Sequence, residues 1–299
     1  MVLILAVLAL TKAQAPYTAD QIFLHQMVQT TQLFQAVFPS LLGLPAGTYA
    51  LFAIGCVVAL WVIYLWMLLR TGDGPVDPRL AGGGAVLLGL AALLVPPVFS
   101  SDVYSYAMFG RLASVYDLNP YLTTARLGAP DDPVMPFLHW RDIPSPYGPV
   151  WTLVSHLITF RHGPPLEVVL RFKAVSLGAV LGSGWLIYRM VRQSWPEEAG
   201  RAWLAFAWNP LILVEGVVTG HNDALILGGL LGSAYLMSRS NPLQATAGLA
   251  ATTLVKYSVA PVAVLALFGV FARTPRSRRL SFVLTGGLVG AAVTLAAFL

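Results

Sequence analysis

Residues 51–69 read LFAIGCVVALWVIYLWMLL, 19 positions without a charge, and the run stops at Arg70. An α-helix needs about 20 apolar residues to cross the ~30 Å hydrocarbon layer of a bilayer. Lipid offers no partner to a main-chain amide, so a run of this kind must close its own hydrogen bonds as a helix. Two similar runs cover 80–101 and 280–299, and shorter or once-charged runs cover 174–188, 202–219, 224–238, 240–255 and 257–272. The alternation of a β-barrel strand is absent from them. The fold class expected is all-α, a polytopic transmembrane helical protein.

Composition agrees. The chain is 57% hydrophobic and 10% charged, against roughly 25% charged in an ordinary soluble domain. Its net charge of +5 reflects basic loop ends that orient helices rather than a nucleic-acid surface. Cys56 is the one cysteine and sits inside the first run, so cysteine usage does not reveal the redox compartment. Residues 1–10 followed by Ala13-Gln14-Ala15 imitate a signal peptide. The missing basic n-region and Pro16 favour the stub of a first membrane helix instead. The stretch 21–38, with Gln26, Gln29, Gln32 and Gln35, is polar enough to lie along the interface. A 20-residue apolar run ends the chain without a polar tail, as in part of a longer protein. The whole of 1–299 reads as one transmembrane domain.

Loop charge sets an orientation. Arg70 and Arg79, then Arg189, Arg192 and Arg201, then Arg239, then Arg273, Arg276, Arg278 and Arg279 all fit on one side, the cytoplasmic one by the positive-inside rule. Asp102 then emerges on the outer face, and 101–149 is a long extracytoplasmic loop rich in proline and aromatics, of the size that usually carries function. The turn Gly220-His221-Asn222-Asp223 lies on the same face. Between Arg239 and Arg273 two short helices of about 15 residues, roughly 23 Å each, would meet near Lys256 and leave it recessed. Residues 150–160 are too short to cross and read as a half-inserted or tilted helix.

Several side chains in these places suit chemistry. Asp102 stands at a helix mouth, where a carboxylate can serve as a general base or simply as a helix cap. Tyr104, Tyr106, Tyr116 and Tyr121 suit a sugar platform or an interfacial aromatic belt. Arg111 suits a phosphate or a neutralising pair with Asp117. Asp131-Asp132 has the look of a metal pair, but Pro130 and Pro133 favour an exposed turn. The rigid segment 139–149 offers Tyr147 and Trp151 to a substrate or to the bilayer surface. Glu215, Asp223 and Lys256 lie in or just beyond membrane runs, where ionisable groups count as functional by default. Lys256 requires a counter-charge, from a lipid phosphate or from Asp223 or Glu215. His221 and Asn222 suit either sugar hydroxyls or a capped turn. There is no phosphate-cradling glycine fingerprint, because Gly82-Gly83-Gly84 falls inside an apolar run, and no zinc-spaced ligand set.

Taken in order, Asp102-Val103-Tyr104-Ser105-Tyr106, Gly110-Arg111, Asn119-Pro120-Tyr121, Pro144-Ser145-Pro146-Tyr147-Gly148-Pro149, Asn209-Pro210, Gly220-His221-Asn222-Asp223 and Lys256 resemble a known family. It is the polyprenyl-phosphate-mannose-dependent α-(1→6)-mannosyltransferases of the GT-C superfamily, of the actinobacterial lipomannan and lipoarabinomannan type. The resemblance runs over about residues 80 to 260 and implies a GT-C fold with short juxtamembrane helices in the outer loop. It implies Asp102 as catalytic base, and a hexose, most often mannose, passed with inversion from a polyprenyl-phosphate sugar to a glycan or glycolipid acceptor. Tyr104, Tyr106, Arg111, Tyr147, His221, Asn222, Asp223 and Lys256 would bind donor or sugar, with no metal and no cofactor. The place implied is the plasma membrane, with the site outside the cytoplasm. The rival is a transporter or lipid flippase, which also tolerates buried charges and broken helices. It predicts related repeats, and none is visible in the sequence. Asp102, His221, Asp223 and Lys256 lining one outward-facing cavity with a lateral opening to lipid would favour the enzyme, and scattered positions would defeat it.

Overall fold

A computed structural model describes residues 46–72, 74–97 and 100–298, and the elements within them are helical, with no strand among the described residues. The readings of 1–15 and 21–38 lie outside these residues. Helix α1 (Ala46–Thr71) is the helix expected from the opening run, and the Arg70 guanidinium near its end lies 5.5 Å over the Trp66 ring. α2 (Pro78–Leu94) starts with Pro78 at its first position and with the Asp77 carboxylate accepting from the Arg79 amide at 2.8 Å. The apolar run 80–101 is not a single helix, because Pro96 and Pro97 cannot supply the donors that would continue it.

In the loop 101–149 lie α3 (Asp102–Ser114), α4 (Ala125–Gly128) and a 3-10 turn at Met135–Phe137, the short helices anticipated there. The stretch too short to cross is α5 (Pro149–Thr159), opened by a proline. α6 (Pro165–Val191) begins well before 174, since Glu167, Arg171 and Lys173 interrupt the hydropathy but not the helix. The run 202–219 divides into α7 (Ala199–Ala207) and a π-helix, Ile212–Val218. At the break stands Asn209-Pro210, with Asn209 Oδ1 accepting from the Leu211 amide at 2.9 Å. α8 (Asp223–Ser238), α9 (Pro242–Thr253), a 3-10 turn (Tyr257–Val259), α10 (Ala260–Arg273) and α11 (Arg276–Phe298) follow. α9 and α10 are the two short helices expected around Lys256.

Among the described residues three helices are long and apolar enough to cross a membrane, over Ile54–Thr71, Pro165–Val191 and Arg276–Leu295. Their outward leucines, among them Leu69 and Leu288, are exposed, as lipid-facing residues must be. The chain is an all-α membrane protein.

Small residues decide how the helices meet. A Cβ on Gly82 would fall 2.7 Å from the Trp203 ring and one on Gly84 2.0 Å from the Trp208 ring. The glycine run is thus a face that lets α2 and its neighbours approach closely, as small residues do between membrane helices, and Trp208 Nε1 seals it by donating to the Ala81 carbonyl at 2.9 Å. Around α3 the core is aromatic. Tyr106, 1% exposed, meets Trp151 edge-on at 4.9 Å and Tyr147 at 5.0 Å.

Candidate active site

The order of construction starts at the end of α2. Its terminal carbonyls have no partners within the helix, and the Lys173 ammonium of α6 takes them, donating to the oxygens of Ala92 at 3.1 Å, of Leu93 at 2.7 Å and of Val95. That anchors the segment leading to Asp102. Lys173 is fully buried and is also the floor beneath the Gly220 turn. Gly220, at φ +69°, presses its Cα against the Lys173 side chain, where a Cβ would stand 3.2 Å from Lys173 Cγ and 3.3 Å from Val103. Only glycine takes that left-handed conformation freely.

Asp102 is the first residue of α3 rather than its cap. The capping position belongs to Ser101, and the Asp102 amide donates to Ser100 Oγ at 3.1 Å. The carboxylate is therefore left to face outward, one-third exposed, with its Oδ2 3.9 Å from His221 Nε2. His221 Nδ1 stands 3.0 Å from Glu215 Oε2. Lys256 closes on the Asp223 carboxylate at 3.2 and 3.1 Å, so its counter-charge within the chain is Asp223. Asn222 is completely buried and accepts the Tyr106 hydroxyl at 3.3 Å, while its Nδ2 has no hydrogen-bond partner. Asp102 thus stands near the first residue of the His221-Asn222-Asp223 turn, and Lys256 pairs with the last.

The rigid loop is docked beneath it. The Gly148 amide donates to the Val255 carbonyl and that of Val150 to the Leu254 carbonyl, both at 3.1 Å. The Tyr147 ring meets that of Tyr106 at 5.0 Å, and its hydroxyl is held well above the usual phenol range, first by burial and then by the Asp102 carboxylate nearby. Burial raises Tyr106 too, with Tyr147 and Asp102 adding to it. Tyr147 is therefore a neutral donor beside the carboxylate.

Three expected binding residues are placed otherwise. Tyr104 is 1% exposed and stacks on Phe137 at 5.3 Å, and Tyr106 is sealed in the aromatic core, so neither ring face is open to a sugar. Arg111 is buried and pairs with Asp132, not Asp117, its Nε 2.7 Å from Oδ2. That carboxylate also receives the Tyr116 hydroxyl at 2.8 Å and the Val134 amide at 2.8 Å. Asp132 is thus a buried clamp for the loop, while Pro130, Asp131 and Pro133 around it are exposed as in the expected turn. Tyr121 donates to or accepts from Thr152 Oγ1 at 2.7 Å, so Asn119-Pro120-Tyr121 ties the loop to α5. No group of three or more metal-ligating side chains occurs among the described residues.

Lys173 and Glu215 carry no motif. Lys173 is legible only as one more charge in a hydropathic run, and Glu215 only as an ion inside the membrane layer. Their roles depend on partners 78 or more residues away for Lys173 and on a π-turn for Glu215.

Residues 3–273 match the family described as alpha-(1→6)-mannopyranosyltransferase, N-terminal domain. Among curated proteins the chain is similar to a probable alpha-(1→6)-mannopyranosyltransferase of Mycolicibacterium smegmatis, 34% identical over 49% of this chain and 27% of that protein. It is similar to alpha-(1→6)-mannopyranosyltransferase A of Corynebacterium glutamicum, 30% identical over 48% of the chain and 30% of the relative. Over a longer stretch, 71% of the chain and 41% of the relative, it is 28% identical to alpha-(1→6)-mannopyranosyltransferase A of Mycobacterium tuberculosis. The chain therefore spans well under half the length of these relatives. No solved structure matches.

Proposed function

Because this chain belongs to the alpha-(1→6)-mannopyranosyltransferase N-terminal domain family, we propose that it carries the catalytic part of a membrane mannosyltransferase. In this reading a mannosyl unit passes from a polyprenyl-phosphate donor to a glycan or glycolipid acceptor. The site faces the extracytoplasmic side of the plasma membrane, a placement that rests on the basic loops at the other helix ends.

The observation that carries the reading is the accessible Asp102 carboxylate, held at the mouth of α3 and flanked by the His221–Asp223 turn and the Lys256 cation. Asp102 removes the proton from the acceptor hydroxyl as that oxygen bonds to the anomeric carbon, and the bond from that carbon to the lipid phosphate breaks on the opposite side, inverting the centre. The electron pair leaves on the phosphate. Lys256 meets the charge that develops there, as a preplaced cation should, which is why the mechanism calls on no metal. Asp223 holds the ammonium in position until the phosphate arrives. Tyr147 borders the sugar, and the buried Asn222 supports the turn behind it.

The test is transfer of labelled mannose from polyprenyl phosphate mannose by membranes containing the full-length protein. Asp102→Asn keeps the shape of the site and removes the base. It should lower turnover by a factor on the order of 100 to 10,000 with unchanged expression. Near-normal turnover would sink the assignment.

A further inference from the structure

The π-helix does something an α-helix would not. Glu215 lies inside it, and the wide turn lets the Glu215 carbonyl accept from Thr219 Oγ1 at 2.6 Å and from the His221 amide at 3.3 Å. The backbone thereby folds His221 back over Glu215, and the two side chains meet at 3.0 Å between Nδ1 and Oε2. π-turns are rare, and they concentrate at functional sites.

That contact biases a proton. Although the two groups meet as an ion pair and not in hydrogen-bond alignment, negative charge 3.0 Å from Nδ1 favours hydrogen on that nitrogen over a second lone pair facing the carboxylate, and in a neutral imidazole the other nitrogen is then a bare lone pair. Nε2 is that nitrogen. It is shielded from solvent, has no hydrogen-bond partner, and points at Asp102 Oδ2 across 3.9 Å. A lone pair and a carboxylate oxygen repel, which accounts for a separation longer than a hydrogen bond. Once Asp102 is protonated, the same two atoms become donor and acceptor, and a closure of about 1 Å gives a normal O–H···N bond.

We infer that Glu215 and His221 form a proton relay behind Asp102, in which Glu215 holds His221 in the Nδ1–H tautomer and the bare Nε2 receives the proton that Asp102 takes from the acceptor. This rests on the reading of Asp102 as base. The step balances: the hydroxyl proton goes to Asp102 as the new C–O bond forms, then passes to Nε2. That restores the Asp102 carboxylate and leaves an imidazolium between Asp102 and Glu215. The proton is then lost to water from the partly exposed site. Glu215 is the positioning residue of the pair, acting on the chemistry only through His221.

Two measurements test it. In protein labelled with 15N-histidine, residues 1–299 contribute five histidine signals, and His221→Gln identifies the one wanted. That signal should show the Nδ1–H tautomer in the unsubstituted protein; an Nε2–H tautomer there would overturn the relay without any variant at issue. Glu215→Gln should release the hold on the Nδ1–H tautomer and raise the Nε2–H share, because a neutral amide can present its NH2 as well as its oxygen to Nδ1. It should also cut kcat by roughly 10- to 100-fold, within the range that acid–base groups contribute, while the donor KM stays within about twofold. Glu215→Asp should recover part of the loss and keep the Nδ1–H signal. A Glu215→Gln enzyme with unchanged kcat, or one that loses donor affinity instead, would show a merely structural contact and overturn the relay. Run beside Asp102→Asn, the outcomes separate. An inactive Asp102→Asn with a fully active Glu215→Gln removes the relay alone, whereas an active Asp102→Asn removes the base itself.

Discussion

The Lys173 ammonium of α6 lies 2.7 Å from the main-chain oxygen of Leu93 in the last turn of α2. One buried cation thereby replaces the missing helical partners of the segment that leads into Asp102. Lys173→Met keeps the length of the side chain and removes its donors. Since each buried carbonyl left without a donor costs about 1–3 kcal/mol, the variant should lose about 3 kcal/mol or more, read as an earlier thermal transition in detergent. Mannosyl transfer should fall with it, and an unchanged transition would show that water or other groups satisfy these oxygens.

The pair Arg111–Asp132 is shielded almost completely, with side-chain exposures of 6% and 0%. Removing one member leaves a buried charge alone, at a cost of about 3–5 kcal/mol. Arg111→Met should therefore destabilise strongly, and Arg111→Met combined with Asp132→Leu should recover much of the loss. If Arg111 served a phosphate instead, the double variant would be stable but would show a raised donor KM.

Lys256 and Asp223 are both partly exposed, at 37% and 58% of their side chains, and such a pair contributes only ~0–1 kcal/mol to folding. Stability should barely respond to either substitution. Donor affinity should respond unequally. Lys256→Ala should raise the donor KM by about tenfold, the loss of one charge-assisted contact of about 1.4 kcal/mol, while Asp223→Asn changes it less. Equal losses, cancelled in the double variant, would mean the pair matters only to itself.

Gly148 has no room for a methyl group. A Cβ there would stand 2.0 Å from the Leu254 carbonyl oxygen, against nothing within 4 Å at Gly83. Gly148→Ala should separate the loop from the segment 254–256 and abolish transfer even where protein accumulates, while Gly83→Ala should be silent in both transfer and thermal transition. A tolerated Gly148→Ala would show that the loop need not be seated as it is.

The Tyr106 hydroxyl couples α3 to the Gly220-His221-Asn222-Asp223 turn through Asn222. Tyr106→Phe should cost about 1 kcal/mol of stability, the usual worth of one such bond, and should lower kcat more than it alters donor KM. A raised donor KM alone would place Tyr106 in contact with the sugar, against its burial.

Much of this was legible in the chain. The membrane class, the short helices on either side of Lys256 and the meeting of Asp102 with His221, Asp223 and Lys256 follow from run length and loop charge, because hydrocarbon thickness and the bias of basic loops act on sequence directly. Helix limits were less legible where proline intervened. Pro96-Pro97 and Asn209-Pro210 cut runs that hydropathy alone joins, and Lys173 hid the first turns of α6, since hydropathy weighs a charge without knowing that three carbonyls await it.

The sequence by itself determined that the protein is a bundle of helices in a membrane and which loop ends gather at one face. Both follow from the cost of an unpaired amide or an unscreened charge in lipid. Only the tertiary structure decided which charges are tools and which are fastenings. Arg111 turns inward to Asp132, Lys173 closes the end of α2, and the π-turn carries Glu215 to His221. Pairings of this kind depend on distances between residues far apart in the chain, and no local pattern encodes them.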